Sequence, residues 1–367
     1  MRILLLGEYS SLYNNLAAGL TKLGHNVVLA SDGDGWKNYR RDIELAPSSK
    51  NAVLRNIQRI WIEQHEIPKL KGFDIVQIIN PLVFSRFFPA QSLFRKLKAN
   101  NGKVFLSAVG DDYYYWQAYR QGKFRYSPHE GTLADGKLKK SVWESDNLRQ
   151  RNTWLIEQVE GIIAGIVDYY IPYQQVSAVP LAYIPFPLSL DNLVYTPMVD
   201  EPGKSIVFFH GIQSSRKGFK GTDLIVQAMK DAKAIWKDKI SFTNVSDLPF
   251  EEYKKSYAGA DVIIDQTNLY SPAMNALTAM ACGKIVMGGF SKECMAINGV
   301  HEAPMVPLEP NVSYIMEAIN TIVQRKLNLT KLSVRGREYV SIHHDAVTVA
   351  GRYLQFWQKP ESSNIFI

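Results

Sequence analysis

Short apolar runs alternate with amphipathic stretches along the first half of the chain. Residues 3–6 form an apolar run that ends at Gly7, leucines then recur at near-helical spacing up to Gly24, and an apolar run resumes at 27–30. A strand, a helix and a second strand in this order indicate a parallel sheet, because parallel neighbours need a helical crossover. The same alternation predicts strands at 75–79, 104–109 and 162–165 and helices at 89–99 and 142–160.

The alternation pauses at 183–204, where prolines replace the periodic apolar positions, and then resumes. It predicts strands at 205–209, 240–243, 262–265 and 285–287 and helices at 222–236, 249–257 and 271–282. We therefore predict an α/β protein with two Rossmann-like, doubly wound domains. The predicted parts are a first domain (1–185), a linker (186–204), a second domain (205–344) and a C-terminal helix with its tail (345–367).

The composition agrees with two domains and limits the classes of partner that the protein is expected to bind. A chain of 367 residues exceeds what one hydrophobic core usually serves. Its net charge of +7 favours partners that carry phosphate: a nucleotide, a lipid-linked pyrophosphate, an anionic membrane surface or nucleic acid. Cys282 and Cys294 lack metal-ligand spacing, which fits a reducing cytosol. Without a signal peptide or an apolar run of about 20 residues, we expect a soluble or at most peripheral protein.

The loop after the predicted strand at 205–209 has the composition of a phosphate site. Residues 210–223 contain three glycines and three cations between a buried strand and a helix. Glycine permits close backbone approach to a phosphate, and cations form charge-assisted bonds with it. In open α/β sheets ligands bind beyond the carboxyl ends of the strands, where this loop begins. A solvated basic surface loop is the alternative.

A second loop, at 265–276, leads into a predicted helix. Ser271 suits an N-cap and Pro272 suits the first helical position, so the helix amides would point back towards the first loop. The positive end of a helix dipole can hold a diphosphate. An ordinary capped core helix is the alternative, and capping by itself does not separate the two.

Two segments resemble the GT-B retaining glycosyltransferases of the bacterial group-1 type, which act in cell-surface polysaccharide synthesis. Residues 220–225 with Ala228 resemble that family's Lys-Gly-x-Asp-Leu-Leu/Ile-x-x-Ala stretch, and residues 275–286 are similar to its Leu-Glu-Ala-Met-Ala-x-Gly-x-Pro-Val-Val stretch. The resemblance implies two domains facing one cleft and a last helix that crosses back onto the first domain. It also implies that Lys220 and an upstream cation, Arg216 or its competitor Lys217, bind the donor diphosphate.

The second segment departs from the family at the two positions that usually carry glutamates eight residues apart. Tyr270 and Thr278 occupy them, so ribose and sugar recognition must differ, with Ser271, Asn275 or Thr278 as substitute hydrogen-bonding groups. The residues assigned to the donor side are His210, Gly211, Lys217, Gly221, Val245, Tyr270, Ser271, Ala273, Met274, Asn275 and Thr278.

Residues 109–112 resemble the family's His-Gly-x-Asp segment on the acceptor side, with Val109 in the histidine position. Asp111 or Asp112 is predicted to bind an acceptor hydroxyl or to assist its deprotonation, with helix capping as the alternative. The aromatic and basic stretch that follows could stack on sugars or meet lipid headgroups, or it could be buried. The residues assigned to the acceptor side are Gly7, Tyr9, Ser10, Tyr113 and Trp116.

The resemblance implies transfer of a sugar from a nucleoside diphosphate sugar to a hydroxyl of a glycan or lipid-linked acceptor. Arg216, Lys220, Asp111 and Asp112 are the predicted catalytic residues, with no metal and no cofactor besides the co-substrate. The expected location is the cytoplasm or the inner face of the membrane, without nucleic acid as a partner. A non-catalytic GT-B subunit or glycan-binding module and a nucleotide-sugar epimerase remain alternatives.

Overall fold

A computed structural model describes residues 1–84, 90–134, 142–176, 179–201, 203–248, 250–361 and 364–366. These residues form two compact units. The first comprises residues 1–121, the described part of 140–189 and the described residues from 345 onward. The second comprises the described part of 122–139 and residues 190–344 outside the gaps.

The described strands are, in chain order, β1 (Arg2–Leu6), β2 (Asn26–Ser31), β3 (Ile43–Glu44), β4 (Ile75–Ile78), β5 (Lys103–Ala108), β6 (Gly161–Ala164), β7 (Leu181–Tyr183), β8 (Ile206–Ile212), β9 (Ile240–Ser246), β10 (Val262–Ile264), β11 (Ile285–Gly288), β12 (Val306–Pro307) and β13 (Asn364–Ile365). The described α-helices are α1 (Leu12–Lys22), α2 (Ala52–Glu66), α3 (Ala90–Ala99), α4 (Tyr113–Arg120), α5 (Pro128–Ala134), α6 (Asp146–Ile156), α7 (Val167–Tyr173), α8 (Lys217–Lys220), α9 (Thr222–Trp236), α10 (Phe250–Tyr257), α11 (Met274–Ala281), α12 (Lys292–Ile297), α13 (Val312–Val323), α14 (Leu329–His343) and α15 (Ala346–Gln358).

Each unit contains one parallel sheet. In the described part of the first unit the strand order is β13-β7-β6-β5-β4-β1-β2-β3, and in that of the second it is β12-β11-β10-β8-β9. All the neighbouring strand pairs run parallel. The order reverses between β1 and β4 in the first unit and between β8 and β10 in the second. Ligands bind outside the carboxyl ends of strands at such switch points, so the loops after these four strands are candidate sites.

The strands at the switch points are mostly apolar because both faces of each sheet are covered. The four side chains of residues 3–6 in β1 are fully buried, and so are the three of β10. In the second unit, Phe208 of β8 packs in one cluster with Ile225 and Met229 of α9. The predicted α/β class with two Rossmann-like domains is therefore confirmed.

The C-terminal helix packs in the first unit, as predicted. Asp345 caps α15 by accepting hydrogen bonds from the amides of Val347 and Thr348. Helix α15 lies against α1, where a Cβ atom on Gly19 would be 2.0 Å from the carbonyl oxygen of Ala346. The indole of Trp357 donates a 2.8 Å hydrogen bond to the side chain of Gln77 in β4.

The main departure from the predicted domain boundaries concerns one segment of the chain. Residues 122–134 fall within the predicted first domain (1–185) but pack in the second unit. The predicted helix at 142–160 is also shorter, because a 3₁₀ turn occupies residues 142–144 and α6 ends at Ile156. Residues 89 and 249, the predicted starts of two helices, lie outside the described residues. In the part of the chain that the structure describes, no helix has the length and apolarity needed to cross a membrane.

Candidate functional site

The loop after β8 is more ordered than the sequence predicts. A 3₁₀ turn at 214–216 and the short helix α8 fill it, and Gly221 joins α8 to α9 with a φ of 71°. A Cβ atom on Gly221 would lie 2.0 Å from the hydroxyl oxygen of Thr267. The left-handed backbone and the close approach both require glycine, and together they bring Lys220 against the loop that follows β10.

Lys220 interacts with two polar groups of the loop that follows β10, the carboxylate of Asp265 and the amide of Thr267. The buried carboxylate of Asp265 accepts a 2.9 Å hydrogen bond from the side-chain amide of Asn275. Burial raises the pKa of Asp265, while the ammonium group of Lys220 and the bond from Asn275 act against the rise. The carbonyl of Lys220 accepts a 3.1 Å hydrogen bond from the amide of Thr267. We name Lys220, Asp265 and Asn275 the lysine cluster.

Asp265 was not among the residues predicted for the site. It is the first polar residue after the apolar run of β10, at the carboxyl end of a strand beside the switch point. This position is the sequence feature that could have identified Asp265 as a site residue. Residue type pointed instead to the helix start at 271–276 and to the cations of the first loop.

His210 has a structural role. Its imidazole is fully buried, and Nδ1 donates a 2.8 Å hydrogen bond to the carbonyl of Ile264. Nε2 is therefore the acceptor for the hydroxyl of Thr222, 3.3 Å away. Burial lowers the pKa of His210 to about 4, so the ring is neutral at pH 7 and ties β8 and β10 to the start of α9. The prediction that it lines the ligand site is wrong, because no part of the ring reaches solvent.

The remaining predicted residues of the first loop lie near the sheet edge with different exposure. The guanidinium group of Arg216 is exposed and stacks 5.0 Å above the ring of Phe219, whereas Lys217 is half-buried at the start of α8. Gly211 pairs in register with Val245 of β9, which places both at the carboxyl edge.

Helix α11 begins at Met274, three residues later than predicted. Ala273 is its N-cap residue with extended φ and ψ angles of −97° and 179°, and no side chain caps it. In the preceding segment, the carbonyl of Tyr270 accepts a 2.8 Å hydrogen bond from the amide of Ser291. Ser271 is buried and is not the cap that its residue type indicates. Thr278 donates a 2.7 Å hydrogen bond from its hydroxyl group to the Met274 carbonyl within α11.

Tyr270, in the position where the resembling family usually carries a glutamate, is buried by a distant segment of the same unit. Its hydroxyl oxygen accepts a 2.6 Å hydrogen bond from the backbone amide of Arg125. The rings of Phe124 and Tyr126 lie 5.6 and 4.7 Å from its ring. The guanidinium of Arg125 lies 5.4 Å above the same ring and forms ion pairs with Glu293 and Glu309. Tyr270 therefore anchors residues 124–126.

The same segment continues into α5, which packs on α8. A Cβ atom on Gly131 would lie 1.9 Å from the carbonyl oxygen of Gly218. That carbonyl also accepts a 3.0 Å hydrogen bond from the side-chain amide of Asn268. Helix α5 and the loop after β10 thus hold α8 from two sides. This contact was not predicted, because residues 122–134 lie within the predicted first domain.

In the first unit, the loop after β1 is shaped by backbone rather than by exposed side chains. Gly7 has a φ of 94°, and a Cβ atom there would lie 2.1 Å from the Ile79 side chain. Glu8 is buried, accepts hydrogen bonds from the amides of Tyr13 and Asn14, and has its pKa raised by burial to about 7. The amide of Ser10 donates a 2.8 Å hydrogen bond to Asp34.

The loops after β1, β4 and β5 meet at Gly110. A Cβ atom on Gly110 would lie 3.2 Å from the ring of Tyr9 and 3.5 Å from the amide nitrogen of Asn80. Asn80 donates a 2.7 Å hydrogen bond to the carbonyl of Val109. Tyr9 therefore lies beside the 109–112 segment, and both belong to the residues predicted for the acceptor side.

Asp112 caps a helix. One carboxylate oxygen accepts a 2.8 Å hydrogen bond from the amide of Tyr115, and the other accepts a 2.6 Å hydrogen bond from the hydroxyl of Tyr173. Burial raises its pKa to about 6. The capping alternative therefore replaces the predicted catalytic role for Asp112, while Asp111 beside it is exposed.

The aromatic stretch after Asp112 is largely buried. Trp116 is buried with its ring 5.5 Å from that of Tyr119, and Arg120 lies 5.9 Å above it. Tyr113 is half-buried, and its amide donates a 3.1 Å hydrogen bond to Asn152. The burial alternative is correct for Trp116, which leaves Tyr113 as the accessible aromatic group of the predicted pair.

No protein-family model and no curated protein sequence matches this chain. Several solved structures are similar to it along almost its whole length. Sucrose-phosphate synthase from Thermosynechococcus elongatus has a TM-score of 0.64 at 14% identity, over 98% of this chain and 99% of that one. HepE from Anabaena, in complex with UDP and glucose, has a TM-score of 0.61 at 13% identity, over 98% and 100%. WaaG, a glycosyltransferase involved in lipopolysaccharide biosynthesis, has a TM-score of 0.56 at 11% identity, over 98% and 100%. The chain therefore has the GT-B fold that its sequence predicts.

Proposed function

We propose that this protein is a glycosyltransferase that moves a sugar from a nucleoside diphosphate sugar to a hydroxyl group of a glycan or lipid-linked acceptor. The observation that carries the proposal is the position of the lysine cluster. Lys220, the close turn at Gly221 and the start of α11 follow the carboxyl ends of β8 and β10, where the strand order reverses. HepE, which has the same fold, is solved with UDP and glucose bound.

The chemistry required of the site is stabilisation of a leaving diphosphate. In the proposed reaction, the bond between the sugar's anomeric carbon and the diphosphate oxygen breaks, and a bond to the acceptor oxygen forms as the acceptor hydroxyl gives its proton to a carboxylate, for which Asp111 is the candidate. Negative charge grows on the diphosphate, where the ammonium of Lys220, the guanidinium of Arg216 and the amides that begin α11 would stabilise it. We propose retention of configuration and no metal requirement, following the family resemblance.

Asp265 supports this role by interacting with Lys220. Asp265 is buried between the apolar end of β10 and Asn275, so it can hold the lysine side chain in the site before the donor arrives. On the acceptor side, the exposed carboxylate of Asp111 is the candidate to accept a hydrogen bond from the acceptor hydroxyl, because that of Asp112 already accepts from Tyr115 and Tyr173.

The test is nucleotide binding followed by turnover. UDP, GDP, ADP, CMP and their common sugars are screened by thermal shift without added metal, using the wild type, Lys220→Ala and a control, Lys230→Ala. Lys230 is exposed on α9, about 12 Å along the helix from its start. One nucleotide class should stabilise the wild type and the control but not Lys220→Ala. With the sugar donor so identified, Lys220→Ala should lower turnover by roughly 100-fold or more. Full activity of a folded Lys220→Ala protein would contradict the proposal.

A second candidate function, a non-catalytic GT-B subunit or glycan-binding module, is favoured by one observation. Neither position of the family's glutamate pair presents a carboxylate: the hydroxyl oxygen of Tyr270 accepts from Arg125, and Thr278 bonds within its own helix. Such a module would show no nucleotide shift and no hydrolysis of any donor sugar. Selective donor binding with transfer or slow donor hydrolysis would exclude it.

A further inference from the structure

Helix α2 exposes apolar residues and buries a charged one, the reverse of an ordinary surface helix. Val53, Leu54, Ile57 and Trp61 form a stripe along one face, with 67%, 55%, 57% and 58% of each residue exposed. The residue of α2 that is buried is the carboxylate Glu63. A helix on a soluble domain normally buries its apolar stripe and exposes its charges. We name the four apolar residues the outer stripe.

Polar contacts hold α2 in this orientation. Arg59 donates a 3.0 Å hydrogen bond to Glu63 and reaches the carbonyl of Val83 at 3.5 Å. Glu63 also interacts electrostatically with the buried Arg151. Asn51 caps the helix by accepting from the amides of Val53 and Leu54. Charged contacts thus fix the inner side of α2, and the outer stripe remains exposed.

The charges around the outer stripe are complementary to an anionic surface. Lys50 and Arg55 are exposed beside the first turn of α2. The acidic residues of the helix do not oppose them, because Glu63 is buried against Arg59 and Glu66 is paired with Lys69 at 2.8 Å. The chain as a whole carries a net charge of +7. A helix with an apolar face that includes tryptophan, next to lysine and arginine, is typical of segments that lie in the interface of a bilayer.

We propose that α2 docks on an anionic lipid surface, with the outer stripe inserted among the acyl chains and Lys50 and Arg55 against the headgroups. Contiguous exposed apolar patches on soluble domains mark protein or membrane interaction sites. Four side chains over two to three turns cover on the order of a few hundred Å², below the ~800 Å² per partner of a standard stable protein interface. Size and charge thus favour a membrane over a second copy of the chain. The proposal does not depend on transferase activity.

The test is co-sedimentation of the full-length protein with vesicles of phosphatidylcholine, with and without phosphatidylglycerol. The variants are Ile57→Glu and Trp61→Glu, and the control is Ile235→Glu, which alters an equally exposed isoleucine on α9, 62% exposed. We expect binding to the anionic vesicles that weakens with salt. Each outer-stripe variant should bind at least about tenfold more weakly, and the control should bind like the wild type. Equal binding by all four proteins, or no binding by the wild type, would overturn the proposal.

Two further measurements make the result specific to α2. With brominated lipids, the tryptophan fluorescence of the wild type should be quenched, and Trp61→Phe should lose most of that quenching. Far-ultraviolet circular dichroism checks that every variant is folded. Self-association is measured by light scattering without vesicles: dimerisation that Ile57→Glu abolishes, together with no vesicle binding, would identify a second copy as the occupant and refute the lipid proposal.

Discussion

The hydroxyl oxygen of Tyr270 accepts a 2.6 Å hydrogen bond from the backbone amide of Arg125, across 145 positions of sequence. This bond joins a segment from the first half of the chain to the loop that follows β10. It also explains why a tyrosine can occupy a position where the resembling family carries a glutamate. The phenol is used for packing and for this hydrogen bond, and the surrounding rings complete the burial of Tyr270.

Tyr270→Phe should loosen residues 122–126 without changing the shape of the core. The substitution removes the acceptor of the Arg125 amide, and the loss of this partly buried hydrogen bond should cost about 1 kcal/mol. Hydrogen exchange at residues 122–126 should become faster, and the melting temperature should fall. Tyr314→Phe on α13, where the ring is partly exposed, is the control. Unchanged exchange in Tyr270→Phe would show that the rings alone hold the segment.

Gly131→Ala should weaken nucleotide binding through α8. The added Cβ atom would lie 1.9 Å from the carbonyl of Gly218, so the backbone of α5 or α8 must move. Since α8 carries Lys217 and Lys220, we expect the affinity for the donor nucleotide to fall by about tenfold or more. Isothermal titration calorimetry measures it. Gly259→Ala is the matched control, because no atom lies within 4 Å of its Cβ position. Equal affinity of the two variants would remove α5 from the site.

The buried carboxylate of Glu8 should make the stability of the first unit depend on pH. Burial raises its pKa in the folded protein from 4.5 to about 7. Between these values the folded protein binds more protons than the unfolded chain, so this contribution is present below pH 4.5 and is lost as pH rises through 7. The loss amounts to roughly 3 kcal/mol. Glu8→Gln, which does not ionise, should escape it.

The measurement is urea unfolding of wild type and Glu8→Gln at pH 5 and pH 8, followed by tryptophan fluorescence. Six of the seven tryptophans belong to the first unit. The free energy of unfolding of Glu8→Gln relative to the wild type should increase from pH 5 to pH 8. His210 titrates with the opposite sign, but it is common to both proteins and cancels in the difference. A difference that stays constant with pH would contradict the assignment.

Gly19→Ala and Gly351→Ala should have opposite effects on the C-terminal helix. A Cβ atom on Gly19 would lie 2.0 Å from the carbonyl of Ala346, so α15 must be displaced from α1, at a cost of about 1–3 kcal/mol. Gly351 lies inside α15 with no atom within 4 Å of its Cβ position, so alanine there should stabilise by about 0.5–1 kcal/mol. Thermal unfolding compares them, and destabilisation by Gly351→Ala would contradict this packing.

Sequence periodicity was sufficient to predict the two parallel sheets. A strand buried on both faces must be apolar throughout, as residues 3–6 and 262–264 are, and each helix between parallel strands must carry one apolar face. These features depend on neighbours close in the chain, so the sequence determines them directly.

The partners of individual polar groups were decided by the tertiary structure. Ser271 has the residue type of a cap, but it is buried next to Tyr270, whose carbonyl accepts a hydrogen bond from the amide of Ser291, and Ala273 is the N-cap residue instead. His210 was expected to follow a strand as ligand-binding residues do, but β8 extends through it to Ile212, and Asp112 does follow a strand; both are buried and hydrogen-bonded. Residues 122–134 belong to the second unit through contacts with Tyr270 and Gly218. The outward stripe of α2 depends on Arg151, which interacts with Glu63. All three partners are distant in sequence. The pattern of apolar positions indicates which residues are buried. The hydrogen-bonding partner of a buried polar group depends instead on which distant segment of the chain packs against it.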